Sequence, residues 1–238
     1  MLYHIQELLE TVNSKKERNL FFYVIMMIGD NMQITQSREY YRDFLTRFIY
    51  ESNAIENINT SYEKTYALLF QDISPVEKED ISVVDLKNTI DYSLDHLDTF
   101  DNGIILHFGE TLTHNDGFRK IENMIQGASF TPPKPEFVPS QLSEAIYQYN
   151  NSELSLLEKV ATFHIMFERI HPFEDGNGRV GRVIMNHQLL MNNSIPVVIP
   201  NSKREEYFKY IEDYDVAGLT ELIHNLQRIE KDRRKDLS

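Results

Sequence analysis

The chain has 238 residues, 41% of them apolar, with 14 Phe and 13 Tyr; this is enough for a core and excludes global disorder. Its formal net charge of −13 repels a polyanion and argues against a DNA or RNA groove. With no cysteine it has no disulfide, no thiolate metal site and no Cys nucleophile.

In chain order, Met1–Glu10 carries acids inside its apolar stretch and reads as a helix, not a signal peptide. The apolar run Phe21–Ile28 is far short of the roughly 20 residues a membrane span needs. A soluble cytoplasmic chain with neither membrane nor nucleic-acid partner is expected. Arg38–Asn57 puts Tyr41, Phe44, Leu45, Phe48, Ile49 and Ile55 on one helical face. Thr60-Ser61-Tyr62-Glu63 offers a helix start. Ser74-Pro75-Val76-Glu77 sets a cap, a first-turn proline and an acid in order, so a helix of about 18 residues should follow. Gly117–Phe130 is short and mixed, with Gly127 near its middle, and leads into Thr131-Pro132-Pro133-Lys134-Pro135; this predicts a β-hairpin followed by an extended segment. Leu154, Leu157, Val160, Ala161, His164, Phe167 and Ile170 form a helical stripe, and Val183, Ile184, Leu189 and Leu190 resume the pattern. His164 reads as a satisfied core histidine, as do His107 and His114, and the eight histidines show no metal-ligand pattern. The basic run Lys231–Lys235 reads as a solvated helix end. The expectation is one mainly α domain carrying one hairpin.

The informative segment is His171-Pro172-Phe173-Glu174-Asp175-Gly176-Asn177-Gly178-Arg179-Val180-Gly181-Arg182. Glycines flanking Asn177 allow a sharp turn in which several N–H groups face one anion. The helix start that follows adds its positive dipole end. Arg179 and Arg182 share a helical face, and their forked guanidiniums suit phosphate oxygens. Asp175 is a hard oxygen ligand suited to one position on Mg²⁺. His171, ending the preceding helix, is poised as a base near pH 7. Base, metal carboxylate, anion cradle and two arginines together describe nucleotidyl or phosphoryl transfer. Gly176–Gly181 also spells G-x-G-x-x-G, but no buried strand precedes it and Ile199-Pro200-Asn201-Ser202 lacks the acid that a dinucleotide site needs.

The segment resembles the signature of Fic-domain proteins, H-x-F-x-[DE]-G-N-G-R-x-x-R, at every fixed position. Leu106-His107, Gly117-Phe118-Arg119, Pro132–Pro135, Ile195-Pro196 and Tyr207 fall in that family's usual order, so the resemblance covers roughly residues 50–215. It implies a single Fic-type helical domain with a β-hairpin flap: N-terminal helices over 1–60, a core over 61–215, and a C-terminal helix with a basic tail over 216–238. It also implies AMP transfer from ATP, with Mg²⁺, to a Ser, Thr or Tyr hydroxyl of a target protein. His171 would be the general base, and Asp175 would hold Mg²⁺. Gly176, Asn177 and Gly178 would hold the α- and β-phosphates, with the Asn177 side chain on the α-phosphate; Arg179 would take the β-phosphate and Arg182 the γ-phosphate. Phe173 would anchor the loop. Met124, Ile125, Gln126, Gly127, Ala128, Ser129 and Phe130 would form the flap that docks the target by strand addition. Tyr207 would line the adenine pocket beside Phe208, which cannot donate a hydroxyl hydrogen bond.

Ser52-Asn53-Ala54-Ile55-Glu56-Asn57 resembles the family's inhibitory motif, [ST]-x-x-x-E-[GN], in the class II arrangement with an N-terminal inhibitory helix. Ser52 and Glu56 are four apart and share a helical face. The resemblance implies that Glu56 pairs with Arg182 and withholds it from the γ-phosphate. The alternatives are AMP removal or a dual activity at the same site, another nucleotidyl or phosphoryl transfer, and a non-catalytic ATP-responsive binding protein. The intact His171 argues against the last, because simple nucleotide binding needs no base.

Overall fold

The computed structural model describes residues 34–125 and 128–236, so Met1–Glu10, Phe21–Ile28, Gln126 and Gly127 lie outside the described residues. Those described are helical and loop, with no strand among them. Helix α1, Ile34–Ile55, buries Leu45, Phe48, Ile49 and Ile55 on the face its periodicity predicts. Helix α2, Tyr62–Phe70, starts at Ser61, whose hydroxyl oxygen accepts the Lys64 N–H at 3.1 Å. Helix α3, Lys78–Asp95, has the expected 18 residues but starts three residues late. Asp80 accepts the N–H groups of Val76 and Glu77 at 3.1 and 3.2 Å and pairs with Lys64 at 2.7 Å. Those contacts close the first turn at Glu77 and leave Pro75 outside it.

Helix α4, Asn102–Thr113, is capped by Asp101 on the Ile104 N–H at 2.9 Å. A single 3₁₀ turn, Pro135–Phe137, leads into α5, Val138–Asn151. A Ser155/Glu158 capping box opens α6, Leu156–Ile170. Helices α7 (Asn177–Met191), α8 (Arg204–Glu212) and α9 (Val216–Asp236) complete the order. The run Lys231–Lys235 forms the mostly exposed end of α9, as expected.

Helix α7 is central. It packs against α1, α3, α4 and α6, while α6 also meets α5 and α9. Residues Arg179 to Leu189 are all buried although several are polar, so each polar group needs a partner. The Asn186 amide bonds both the N–H and the C=O of Val197, at 2.7 and 2.9 Å. His187 sits between the Ser93 hydroxyl at 2.9 Å and the Thr99 carbonyl at 2.8 Å. His164 is buried as expected. His107 is only half-buried, its ring 3.7 Å from that of Tyr92. His114 is not a core residue: it ends α4 in the left-handed region, its side chain is 67% exposed, and it bonds Asp85 at 2.9 Å.

The expected hairpin over Gly117–Phe130 is absent among the described residues. The Ala128 N–H bonds the Ile125 carbonyl at 3.1 Å. A lone two-stranded hairpin is marginal without a packed face, and here Ile121 and Met124 are 62% and 87% exposed.

Helix α1 is clamped to α9 by charge. The buried Glu230 carboxylate receives the Arg47 fork at 2.6 and 2.9 Å and the Tyr40 hydroxyl at 3.2 Å. Glu230→Ala leaves Arg47 with only Asp43, on its own helix at 2.7 Å, and lowers the unfolding free energy by about 1.5–3 kcal/mol. Urea denaturation reads this directly; a loss below about 1 kcal/mol would mean that the apolar face alone holds α1.

Candidate active site

The C-terminus of α6 and the N-terminus of α7 meet across residues 171–176. His171 ends α6 with φ 51° and ψ 61°, its N–H still bonded to the Phe167 carbonyl at 2.9 Å. That left-handed conformation turns the chain sharply out of the helix and is costly for a non-glycine residue. The imidazole Nδ1 lies 3.3 Å from the Glu168 carbonyl, which assigns its proton to Nδ1 and leaves Nε2 as an acceptor. Burial pushes the His171 pKa below its usual value, so the ring is neutral at pH 7.

Packing seats the loop. Phe173 is buried over Gly109 of α4, where any Cβ would overlap its ring. Asn177 closes the loop on itself, accepting the Phe173 N–H at 2.9 Å and donating to the Phe173 carbonyl at 2.8 Å. Both polar atoms of its side chain are engaged by the loop, and the second Nδ2 hydrogen is the one left for an anion. Gly176 caps α7 with φ 73° and has no side chain to satisfy the first-turn N–H groups. An uncapped helix start presents N–H donors and positive potential to an anion.

Asp175 is 82% exposed; Oδ1 accepts the Gly176 N–H at 2.7 Å, and Oδ2 is 3.7 Å from Arg179. Among the described residues no group of three or more His, Cys, Asp or Glu could hold a metal alone. One exposed carboxylate beside a phosphate cradle still fits Mg²⁺, which is commonly held by one or two carboxylates plus substrate phosphates. Arg179 donates to the Ser82 hydroxyl at 2.8 Å, and Ser82 donates to Asn53 at 3.0 Å.

Arg182 is 2% exposed, and the end of α1 engages its Nε and Nη2 while Nη1 is buried without a hydrogen-bond partner. Its Nε donates to Ser52 Oγ at 2.8 Å; its Nη2 donates to the Ser52 carbonyl at 2.9 Å and to Glu56 Oε1 at 2.8 Å. Burial alone would lower its pKa, yet Glu56 beside it holds the guanidinium above the usual arginine value. A Cβ on Gly178 would overlap Glu56 Oε1, so only glycine there lets the carboxylate reach Arg182. Asn57 follows in the left-handed region at φ 59°, its N–H on the Ala54 carbonyl, and stops the helix just past Glu56.

Glu56 also walls two cavities. One, of about 490 Å³, holds Asp175, Gly176 and Arg179. The other, of about 570 Å³, holds His171, Gly178 and Phe208, with Ile125, Ala128 and Phe130 along its rim. Ser129 is tied to α8 by its N–H on Glu212 at 2.6 Å, and Met124 points to solvent. Tyr207 is fully buried instead of facing a cavity, its hydroxyl 2.7 Å from His164 Nε2 and its ring 5.9 Å from the Arg182 guanidinium. It supports Arg182 from behind, and Phe208 is the aromatic at the cavity wall.

Two residues escaped the sequence reading. Glu168 is a buried acid four residues after His164, and that helical spacing within an apolar stripe was its signal. Burial raises its pKa to about 8, and burial followed by Arg182 lowers that of His164 to about 3, so both are neutral inside the fold. The other is Arg119, buried and bonded to the His171 carbonyl at 2.8 Å.

Residues 89–189 match the model of the Fic/DOC family. A relative from Aquifex aeolicus, named a probable protein adenylyltransferase, is 35% identical over 113 residues, 47% of this chain and 34% of its own. The protein adenylyltransferase Fic of Drosophila melanogaster is 27% identical over 187 residues, 77% of this chain and 34% of its own. The chain thus spans about a third of the length of the curated relatives it matches. The crystal structure of a Fic-domain-containing signaling protein from Bacteroides thetaiotaomicron shares the fold, with a TM-score of 0.81 at 18% identity, over 94% of this chain and 96% of that one.

The buried pair has a pH signature. Glu168 is raised in the fold, so its stabilising contribution is complete below its unfolded value of 4.5 and is lost as pH rises through about 8. His164 is depressed, so its contribution is present above 6.5 and is lost as pH falls towards about 3. The two slopes offset between 4.5 and 6.5, and Glu168 alone acts from 6.5 to about 8. Thermal melts should therefore show stability declining over that upper window, and Glu168→Gln should flatten the decline; an equal slope in both proteins would contradict it.

Proposed function

We propose that this chain transfers AMP from ATP to a Ser, Thr or Tyr hydroxyl of a target protein, and of itself, and that Glu56 restrains it. The observation that carries the reading is the sharing of one cavity by His171 and Gly178 of the uncapped α7 start, with an acceptor nitrogen on the imidazole. The names of the relatives support the same activity.

In this reading the target hydroxyl oxygen attacks the α-phosphorus of ATP. Its proton passes to His171 Nε2, the bond from the α-phosphorus to the bridging oxygen breaks, and pyrophosphate leaves. The α7 N–H groups stabilise charge developing on the phosphates, with Arg179 and Arg182 as further cations. Asp175 would hold Mg²⁺, which neutralises phosphate charge when bound. Phe208, Ile125 and Phe130 offer apolar surface to a base or to the target chain. The same Glu56 and His171 also suit AMP removal, but an unprotonated Nε2 favours proton abstraction from a hydroxyl.

Glu56 holds an arginine that the γ-phosphate would take, a charge-assisted contact worth about 1.5–3 kcal/mol. Glu56→Gly is expected to raise transfer about 10- to 100-fold. The measurement is protein labelling from ATP carrying label on the α-phosphate, in wild type, Glu56→Gly and Glu56→Gly/His171→Ala. Label that is faint, strong and absent in that order supports the reading. Equal labelling of the first two removes the restraint, and label surviving in the double variant removes His171 as the base.

A further inference from the structure

The left-handed conformation of His171 leaves three successive carbonyls, those of Ile170, His171 and Pro172, turned away from α6 without helical partners. Arg119 takes all three. Its Nε donates to the His171 carbonyl at 2.8 Å, its Nη2 to that of Ile170 at 3.4 Å, and its backbone N–H to that of Pro172 at 2.9 Å. The rest of the fork reaches the opposite way, with Nη1 to the Ile121 carbonyl at 3.0 Å and Nη2 to the Pro133 carbonyl. Ile121 and Pro133 are the two feet of the segment whose middle lines the His171 cavity.

We propose that Arg119 is the positioning residue for His171: one buried guanidinium fixes the peptide that aims the imidazole and locks both feet of the 121–133 segment to it. This rests on the reading of His171 as the base. Arg119 is 3% exposed and its side-chain bonds all go to carbonyls, an arrangement that a planar five-donor fork can satisfy and a point-charge ammonium cannot. A cation at the end of α6 is also favoured by the helix dipole. A left-handed non-glycine residue persists only where its surroundings over-determine it, and here Arg119 supplies that constraint.

The charge has a second effect. His171 is depressed first by burial; among the charged groups around it Arg119 lowers its proton affinity further, while Glu56 and Asp175 raise it, and Glu168 lies buried on α6 with its carbonyl on Nδ1. Removing the arginine charge therefore raises the His171 pKa, and the acid limb of the rate profile, where the base becomes protonated, moves to higher pH.

The test uses Glu56→Gly as parent and adds Arg119→Lys or Arg119→Gln. In both, kcat is expected to fall on the order of 10- to 100-fold, from a misaimed base, while the ATP KM changes less than about twofold. In Arg119→Gln the acid limb shifts upward, and NMR titration of the His171 ring shifts with it; in Arg119→Lys, which keeps the charge, both stay in place. Unchanged kcat in either folded variant, or an Arg119→Gln titration that matches the parent, would overturn the proposal. If Arg119→Gln loses its cooperative melt, Arg119→Lys decides through its kcat. A parent that transfers no AMP defeats the proposed function instead, and the ring titration still tests Arg119.

Discussion

The fold depends on keeping a guanidinium inside it. Arg182 lies in the middle of the most buried helix, and an uncompensated charge at that depth would destabilise the domain by several kcal/mol, on the order of 3–5. Its partners come from α1, more than a hundred residues earlier in the chain. Docking α1 is therefore part of solvating α7. The same need explains the neighbours: Tyr207 lies behind the cation, and Gly178 gives up its side chain so that Glu56 can approach from the front. Glu230 then holds α1 at its other end through Arg47, so the register of Ser52 and Glu56 is fixed from both sides.

A second constraint acts at the junction of α6 and α7. Two helix ends facing one another leave unpaired carbonyls on one side and unpaired N–H groups on the other. The chain satisfies the carbonyls internally, through Arg119, and leaves the N–H groups without a side-chain cap. That asymmetry gives the loop an unmet demand for an anion at one end and a rigid frame at the other. Asn177 reinforces the frame by bonding both backbone groups of Phe173, so preorganisation comes from the loop's own side chains.

Much of this was legible from the residues alone. Periodicity found the buried faces of α1, α6 and α7, because amphipathic spacing is local. The motif from His171 to Arg182 and the Ser52–Glu56 spacing could be read because each is a short contiguous stretch of chain, and the structure joins the two at 2.8 Å. What was missed depends on other elements. The start of α3 moved because Lys64, from another helix, pairs with Asp80. Among the described residues the expected hairpin is not seen, and Ile121 and Met124 are exposed there. Tyr207 is buried while its neighbour Phe208 lines the cavity, because one residue of helical rotation separates core from cavity. Arg119 showed only as a member of a short run, since its partners are carbonyls, which a sequence does not display.

The division of labour at Arg182 bears on how restraint and competence coexist in the proposed reading. Of its three contacts to α1, two go to Ser52, through Nε and Nη2, and only one to Glu56. Glu56 side chain is 30% exposed and borders both cavities, so it can leave towards solvent without opening the core. The Ser52 bonds remain when it does, and they hold the guanidinium in place with its outer edge towards the space that Glu56 vacates. Ser52 keeps the guanidinium hydrogen-bonded but brings no charge, so an incoming anion has to replace the one that Glu56 supplies. With Ser52 as the permanent anchor and Glu56 as the removable one, the geometry that excludes the γ-phosphate becomes the geometry that receives it, with one carboxylate exchanged for another anion.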